Sequence, residues 1–153
     1  MQSAFDGYNV CMYAYGQTGS GKTFTITGSM KEPGIVPRAV EELFAITAAN
    51  ESKFEVNLQC WMMEVYRENL VDLLSMKREG VAPPKLELYE DTEGCVHVRN
   101  VVKTPVANLK EAMSIYSRGL KQRKSAFTEM SDHSSRSHLI FALSIETLNR
   151  ETQ

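Results

Sequence analysis

The sequence contains few of the residues that stabilise extracellular or metal-bound folds. Its 153 residues include three cysteines, and no two of them are close enough for a CxxC pair or a metal-ligand cluster. We therefore expect reduced, mostly buried thiols at Cys11, Cys60 and Cys95, as is typical of an intracellular protein. The N-terminus has no basic segment followed by an apolar run, so no signal peptide is predicted.

A strong charge of either sign and long apolar runs are also missing. The net charge is −2, which gives no global attraction to nucleic acid or to an anionic membrane. The longest apolar stretches are too short to span a bilayer. We expect a protein of the cytosol or nucleus, with neither nucleic acid nor membrane as a partner. The length predicts one domain or part of one.

Apolar residues recur with the spacings of both strands and helices. The run YNVCMYAY at 8–15 is almost continuously apolar and predicts a strand buried on both faces of a sheet. Helices are predicted around Pro37 and after Asn108, where Glu111 can complete a capping box. A hairpin is predicted at 85–101, and further strands at 54–66 and 138–148. Strands and helices interleaved in this way predict an α/β fold with a mixed sheet.

The segment that follows the first predicted strand matches a phosphate-binding loop, G-x-x-x-x-G-K-[ST]. Glycines let backbone N–H groups curl around an oxyanion, and the helix that begins there adds its positive end. The lysine places a charge between two phosphates, and the threonine offers a hydroxyl to Mg²⁺. The sequence therefore predicts a nucleoside triphosphate site at Gly16, Gln17, Thr18, Gly19, Ser20, Gly21, Lys22 and Thr23.

A phosphate loop usually works with an aspartate at the end of an apolar strand, and two candidates exist here. Asp72 lies in LVDLL, where apolar residues follow it, so we interpret it as structural. The D-x-x-G stretch from Asp91 to Gly94 has the form of a nucleotide switch. It lies in the predicted hairpin turn, where Asp and Gly are the usual residues, so we interpret it as a turn.

SSRSH at 134–138 is the second dense cluster of polar residues. Alone, it is typical of a serine-rich loop that caps a helix or a strand. Beside a phosphate loop, its hydroxyls can ligate Mg²⁺ or hold a water near a γ-phosphate, and its arginine can pair with an acidic group.

Taken together, these motifs resemble the kinesin motor domain. The resemblance is carried by FDGYNVCMYAYGQTGSGKTFT at 5–25, by SSRSH, and by PGIVPRAVEELF, EVYRENLVDLL and KLELYED between them. ENLVDLL and the start of the chain look closer to the minus-end-directed, calmodulin-binding kinesin-14 branch. The resemblance implies a P-loop NTPase with a mainly parallel central sheet flanked by helices.

Residue roles follow from this resemblance. The loop from Gly16 to Thr23 would hold the phosphates of ATP, and the ring of Phe24 would pack on adenine. Ser134, Ser135 and Arg136 would be the catalytic residues of switch I, with Thr23 and Ser135 as ligands of Mg²⁺. The segment GSMKEPG at 28–34 would interrupt the helix after the phosphate loop, and Arg99 and Lys103 would face tubulin.

The chain departs from the family in one residue and in extent. Ser131 stands where kinesins usually carry Asn at the start of switch I. Compared with a whole motor, residues 1–153 resemble a partial motor domain that lacks the first strand, switch II, the microtubule-binding helices and the neck. The fold is thus expected to be incomplete, to associate with itself, and to hydrolyse ATP negligibly on its own.

The function that the resemblance implies is the ATP-binding part of a microtubule-stimulated ATPase that moves along microtubules. Its expected location is the cytoplasmic cytoskeleton, and a full-length protein would be dimeric or bound by a calmodulin-type regulator. Two alternatives stay open at this point. One is a kinesin-like module that binds a partner without hydrolysis, and the other is a different P-loop nucleotide enzyme.

Overall fold

The computed structural model describes residues 1–75, 83–126 and 137–152 of the chain. Helices and strands interleave along these residues, which confirms the predicted α/β class. The helices are α1 (Gln2–Phe5), α2 (Lys22–Thr27), α3 (Ile35–Ala49) and α4 (Leu109–Ala126). The strands are β1 (Phe54–Tyr66), β2 (Asn69–Asp72), β3 (Glu87–Glu90), β4 (Val96–Arg99), β5 (Thr104–Pro105) and β6 (Ser137–Asn149).

The 13-residue strand β1 organises the larger sheet, because β2, β5 and β6 all pair with it. A two-residue turn joins β1 to β2, with Tyr66 opposite Asn69, and so short a connection requires an antiparallel pair. The pair between β1 and β5 is antiparallel as well, with Cys60 opposite Thr104. The resemblance to kinesins implies parallel strand pairs in the central sheet. The strand pairs whose register is described are all antiparallel.

The segment 8–15 is the main correction to the sequence prediction. We predicted a strand buried on both faces, but these residues form no strand, and the side chains of Tyr13 and Tyr15 are 80% and 95% exposed. A strand needs a neighbour to accept and donate its backbone hydrogen bonds. None of the described strands pairs with 8–15. The apolar composition of 8–15 predicted burial, but burial requires a neighbouring strand. No described strand lies beside this segment.

Helix α3 follows the sequence prediction closely. Pro37 lies in its first turn, where a missing N–H costs nothing, and Val40 and Leu43 on its apolar face are fully buried. Asn50 ends the helix, and its side-chain amide donates to the carbonyl oxygen of Ile46.

The predicted cap of α4 is also confirmed. The backbone N–H of Glu111 donates to the side-chain oxygen of Asn108 at 2.9 Å. The Glu111 carboxylate in turn accepts from the backbone N–H of Ala107 and from the Asn108 amide. The bond from Glu111 satisfies a backbone donor that the first turn of a helix leaves without a partner, and the bonds to the Glu111 carboxylate tie the segment before the helix to that turn.

The described chain divides into two compact units. The first consists of 1–58, 106–113 and 144–153, and the second of 59–105 and 114–143. Buried apolar side chains of the first are Phe5, Val40, Leu43, Leu58, Val106 and Ala112. Those of the second are Cys60, Met62, Met63, Leu73, Leu74, Leu86, Ile115 and Tyr116. None of the helices described here is long and apolar enough to cross a bilayer.

The three cysteines are free, as predicted, but their burial differs from the expectation. Only Cys60 is buried, whereas Cys11 is exposed and Cys95 is half-buried. Burial raises the pKa of the Cys60 thiol to about 11, so this side chain stays protonated and unreactive at neutral pH.

Candidate nucleotide-binding site

The backbone of the phosphate loop explains its glycines. Gly19 and Gly21 have φ angles of 86° and 89°, which residues with a Cβ rarely adopt. A Cβ at Gly16 would lie 2.6 Å from the hydroxyl oxygen of Ser20, so the Ser20 side chain would have to move to accept it. The φ angles at Gly19 and Gly21 therefore favour glycine at these two positions of the loop.

Lys22 is bound to the loop that precedes it. Its ammonium donates hydrogen bonds to the carbonyl oxygens of Gly16 at 2.6 Å and of Gln17 at 2.7 Å. Both acceptors are neutral backbone groups, and no carboxylate among the described residues forms an ion pair with Lys22. An anion that entered the loop would meet this charge directly.

Helix α2 begins at the end of the loop, as predicted. Gly21 is its N-cap, and the backbone N–H of Thr25 donates to the Gly21 carbonyl at 2.9 Å. The first backbone N–H groups of a helix have no acceptor within it. Among the residues described, those of Lys22 and Thr23 have no recorded acceptor elsewhere either. These donors suit a phosphate oxygen.

The side chains that would reach a nucleotide from α2 are accessible. Thr23 is exposed, and 54% of the Phe24 surface faces solvent. An exposed ring at the start of a helix can stack on a planar base, and an exposed hydroxyl can ligate a cation. Both positions thus fit the roles that the resemblance implies for them.

A tight loop at 28–34 separates α2 from α3, in agreement with the prediction. The backbone N–H of Ser29 donates to the Glu32 carbonyl, and that of Gly34 donates to the Thr27 carbonyl. A Cβ at Gly28 would lie 2.1 Å from the backbone nitrogen of Gly34, so the two ends of the loop approach closely. The loop closes on its own backbone and leaves Met30 fully exposed.

The predicted switch I residues Ser134, Ser135 and Arg136 lie outside the described residues, as does Ser131. The description resumes at Ser137, the first residue of β6, which is buried.

Three side chains at that point form what we call the buried polar cluster (Glu64, Arg123 and Ser137). Glu64 and Ser137 are buried, and Arg123 is half-buried. The guanidinium Nε of Arg123 donates to Glu64 Oε1 at 2.9 Å, and its Nη2 donates to Ser137 Oγ at 2.8 Å. The sequence prediction missed this cluster. Its one visible signal was a glutamate inside the apolar strand segment WMMEVY.

The two aspartates considered as acidic partners have structural roles. Oδ1 of Asp72 accepts from the backbone N–H groups of Leu74 and Ser75, and its Oδ2 accepts from that of Val102 at 2.7 Å. This carboxylate therefore ties the end of β2 to the segment before β5, as the structural interpretation predicted.

Asp91 organises the turn between β3 and β4. Its Oδ1 accepts from the backbone N–H groups of Glu93 and Cys95, and its Oδ2 lies 2.6 Å from His97 Nε2. The hydrogen bond from His97 is the largest cause of a lowered pKa at Asp91, followed by the backbone bond from Cys95. The hairpin prediction is confirmed, and D-x-x-G is a turn in this chain.

Of the two basic residues expected to face tubulin, Arg99 has partners within the hairpin. Its guanidinium lies 4.8 Å from the ring centroid of Tyr89 and 3.6 Å from the carboxylate of Glu87. Lys103 immediately precedes β5 and is exposed. Whether either contacts a partner stays a prediction.

Comparison with known proteins is consistent with this geometry. The family model described as the kinesin motor domain matches residues 1–153. Kinesin-like protein KIN-14I of Oryza sativa subsp. japonica is 48% identical over the whole chain, which spans 12% of that protein. Kinesin-like protein KIN-14E of Arabidopsis thaliana is 47% identical with the same coverage.

Solved structures give the same result at the level of the fold. A fast kinesin superposes with a TM-score of 0.85 at 34% identity, covering 97% of this chain and 42% of that one. A KIF14 dimer in the two-heads-bound state, with AMP-PNP and in complex with a microtubule, superposes with a TM-score of 0.82 at 40% identity. It covers 99% of this chain, which again spans 42% of the solved chain.

Proposed function

The chain belongs to the kinesin motor domain family, and on that premise we propose that it is the ATP-binding part of a microtubule motor. The likeness to KIN-14 proteins supports the resemblance to the kinesin-14 branch. The chain spans about an eighth of these relatives and 42% of the solved chains, so movement and hydrolysis are proposed for a whole motor.

The observation that carries the proposal is the position of Lys22 within the glycine loop. Its ammonium is hydrogen-bonded to two neutral carbonyl oxygens, which a charged phosphate oxygen would displace with a stronger, charge-assisted bond. The backbone N–H groups of Lys22 and Thr23 would contribute further donors. The loop therefore fits the β- and γ-phosphates of a nucleoside triphosphate.

The remaining roles rest on the family resemblance and on accessibility. Phe24 would pack on the adenine ring, and Thr23 would ligate Mg²⁺ together with Ser135. When bound, Mg²⁺ neutralises phosphate charge. Ser134 and Arg136 would act beside the γ-phosphate. Thr23 and Phe24 are exposed and can reach a ligand.

We propose that this chain alone binds Mg·ATP weakly and hydrolyses it negligibly. Residues 1–153 contain no D-x-x-G-x-E motif, which in the family supplies the glutamate that partners Arg136. A phosphate-release assay with and without microtubules checks this point. Microtubule-stimulated release at the rate of an intact motor would contradict it.

The partners proposed for the longer protein follow from the family. A microtubule is the track, which places the protein in the cytoplasmic cytoskeleton. The kinesin-14 likeness supports a dimer or a calmodulin-type regulator. Co-sedimentation tests binding to microtubules, and a separate binding assay tests calmodulin.

A titration with ATP, ADP and AMP tests the proposed contacts. We expect affinity to fall from ATP to ADP to AMP, because each step removes phosphate contacts. Phe24→Ala should weaken all three nucleotides by a similar factor, since it removes a contact to the shared base. Equal affinity for ATP and AMP would exclude phosphate recognition by the loop.

A further inference from the structure

Two glycines bring the end of α2 against the start of α3. Gly28 forms a single antiparallel bridge with Pro33, and the backbone N–H of Gly34 donates to the Thr27 carbonyl at 3.3 Å. A Cβ at Gly34 would lie 2.6 Å from the carbonyl oxygen of Ile26, so the two backbones meet without a side chain between them. We call Gly28, Pro33 and Gly34 the α2–α3 junction. The position of α3 therefore sets where α2 ends.

Arg38 closes this junction from the side of α3. Its guanidinium Nε donates to the carbonyl oxygen of Pro33 at 2.7 Å, a short distance that is typical of a charged donor. Because Pro33 bridges Gly28, the bond from Arg38 holds the backbone segment that faces the end of α2. Arg38 is exposed, and it forms no ion pair among the residues that the structure describes. Its side chain is thus directed at the junction and not at an acidic partner.

The junction also holds the part of α2 that carries Phe24. The backbone N–H of Gly28 donates to the Phe24 carbonyl at 2.7 Å, so the same glycine contacts Phe24 and Pro33. Helix α2 has only 6 residues, and a helix this short depends on its surroundings for a fixed position. More than half of the Phe24 surface faces solvent, so neighbouring side chains confine the ring weakly. The backbone that the junction holds therefore decides where the ring lies.

We propose that Arg38 is a positioning residue that holds Phe24 in place for the nucleotide base. Arg38 binds Pro33, Pro33 bridges Gly28, and Gly28 binds the Phe24 carbonyl. This inference rests on the proposed function, which assigns Phe24 to adenine. A ring that is already in place loses less conformational freedom when a base stacks on it, so Arg38 raises the affinity for the base.

A double-mutant cycle with ATP tests this connection. Arg38→Ala removes the bond to Pro33, and we expect it to weaken ATP binding about threefold, which lies within the effect of one hydrogen bond. Phe24→Ala removes the ring and should weaken ATP binding about tenfold, as expected for the loss of a stacked base. In the Phe24→Ala background, Arg38→Ala should change the affinity by less than about 1.5-fold, because no ring remains to be positioned.

Three further variants separate positioning from other effects. Arg38→Lys keeps a charged donor for the Pro33 carbonyl, so it should recover most of the affinity that Arg38→Ala loses. Lys31→Ala removes another exposed cation close to the junction, and Glu42→Gln alters an exposed residue of α3. Both controls should bind ATP like the chain into which they are introduced.

Each failure would contradict a different claim. An Arg38→Ala chain that binds ATP like the parent, while Phe24→Ala binds weakly, contradicts this inference alone. An equal loss from Arg38→Ala in both backgrounds also contradicts it, since Arg38 would then stabilise the fold without positioning Phe24. A Phe24→Ala chain that binds ATP like the parent contradicts the assignment of Phe24 in the proposed function, and this inference with it.

Discussion

The ammonium of Lys22 lies 2.6 Å from the carbonyl oxygen of Gly16, six residues before it in the chain. This bond closes the phosphate loop on itself and keeps a positive charge at the carbonyl groups where the loop begins. Charge and donors are thus arranged before a ligand arrives, and preorganised groups need little rearrangement to bind an anion.

Gly28 supports this arrangement from the far end of α2. Alanine at this position would need a φ of 72° and would bring its Cβ 2.1 Å from the backbone nitrogen of Gly34. We expect Gly28→Ala to lower the free energy of unfolding by about 2 kcal/mol or more. Urea denaturation followed by circular dichroism measures the change.

The matched control is Gly94→Ala, which also has a positive φ of 81° but would meet nothing closer than 3.6 Å. It should cost about 1 kcal/mol, from backbone strain alone. Equal losses at the two positions would mean that the closeness of the loop ends at 28–34 has no energetic effect.

Removing the cation from the buried polar cluster should be costly. Arg123→Ala leaves the buried carboxylate of Glu64 without its guanidinium, and we expect a loss of about 3 kcal/mol in the free energy of unfolding. Arg99→Ala breaks an exposed ion pair with Glu87 and should cost about 1 kcal/mol or less. Similar losses from both substitutions would mean that burial does not make the Glu64–Arg123 ion pair more costly to break than the exposed Glu87–Arg99 pair.

The hairpin turn should respond to acid through Asp91. Its pKa lies below the ordinary value of 3.8, mainly because His97 donates a hydrogen bond to the carboxylate. A lowered folded-state pKa stabilises the fold above the unfolded pKa, and this contribution is lost as the pH falls through the folded value. We expect NMR titration of the Asp91 carboxyl to give a midpoint below 3.8.

His97→Ala should raise that midpoint toward the ordinary value, because it removes the largest cause of the shift. His138→Ala alters an exposed histidine of β6 and should leave the Asp91 titration unchanged. An unchanged midpoint in the His97 variant would contradict the assigned cause.

The exposed apolar segment 8–15 should drive self-association. Tyr8, Tyr13 and Tyr15 are each more than 70% exposed, and contiguous exposed apolar surface favours contact with another molecule. We expect sedimentation to detect concentration-dependent oligomers. The double substitution Tyr13→Lys with Tyr15→Lys should reduce them, since charges oppose such contacts.

Leu88→Lys with Val96→Lys adds the same charge to exposed apolar positions of the β3–β4 hairpin. This control should leave oligomers largely in place. A monomeric parent chain with a sharp two-state thermal transition would contradict the prediction.

Local rules predicted much of the fold and of the phosphate loop. The cap formed by Asn108 and Glu111, the buried face of α3 at Val40 and Leu43, and the glycine loop depend on residues close in sequence. Spacing and capping chemistry describe such features directly.

Features that depend on distant partners were not predictable in this way. Tyr8 to Tyr15 have the composition of a buried strand, but burial depends on a neighbouring strand that local composition does not specify. Glu64 and Arg123 are 59 residues apart, and no periodicity indicates which buried glutamate will pair with which arginine.

The most direct test of the central claim is a titration of the chain with a fluorescent ATP analogue in Mg²⁺. Lys22→Ala should weaken binding about tenfold to a hundredfold, because it removes the charge-assisted bonds to phosphate. Lys31→Ala, which alters an exposed lysine of the neighbouring loop, should bind like the parent. Equal affinities of the parent and Lys22→Ala would contradict ATP binding by the glycine loop.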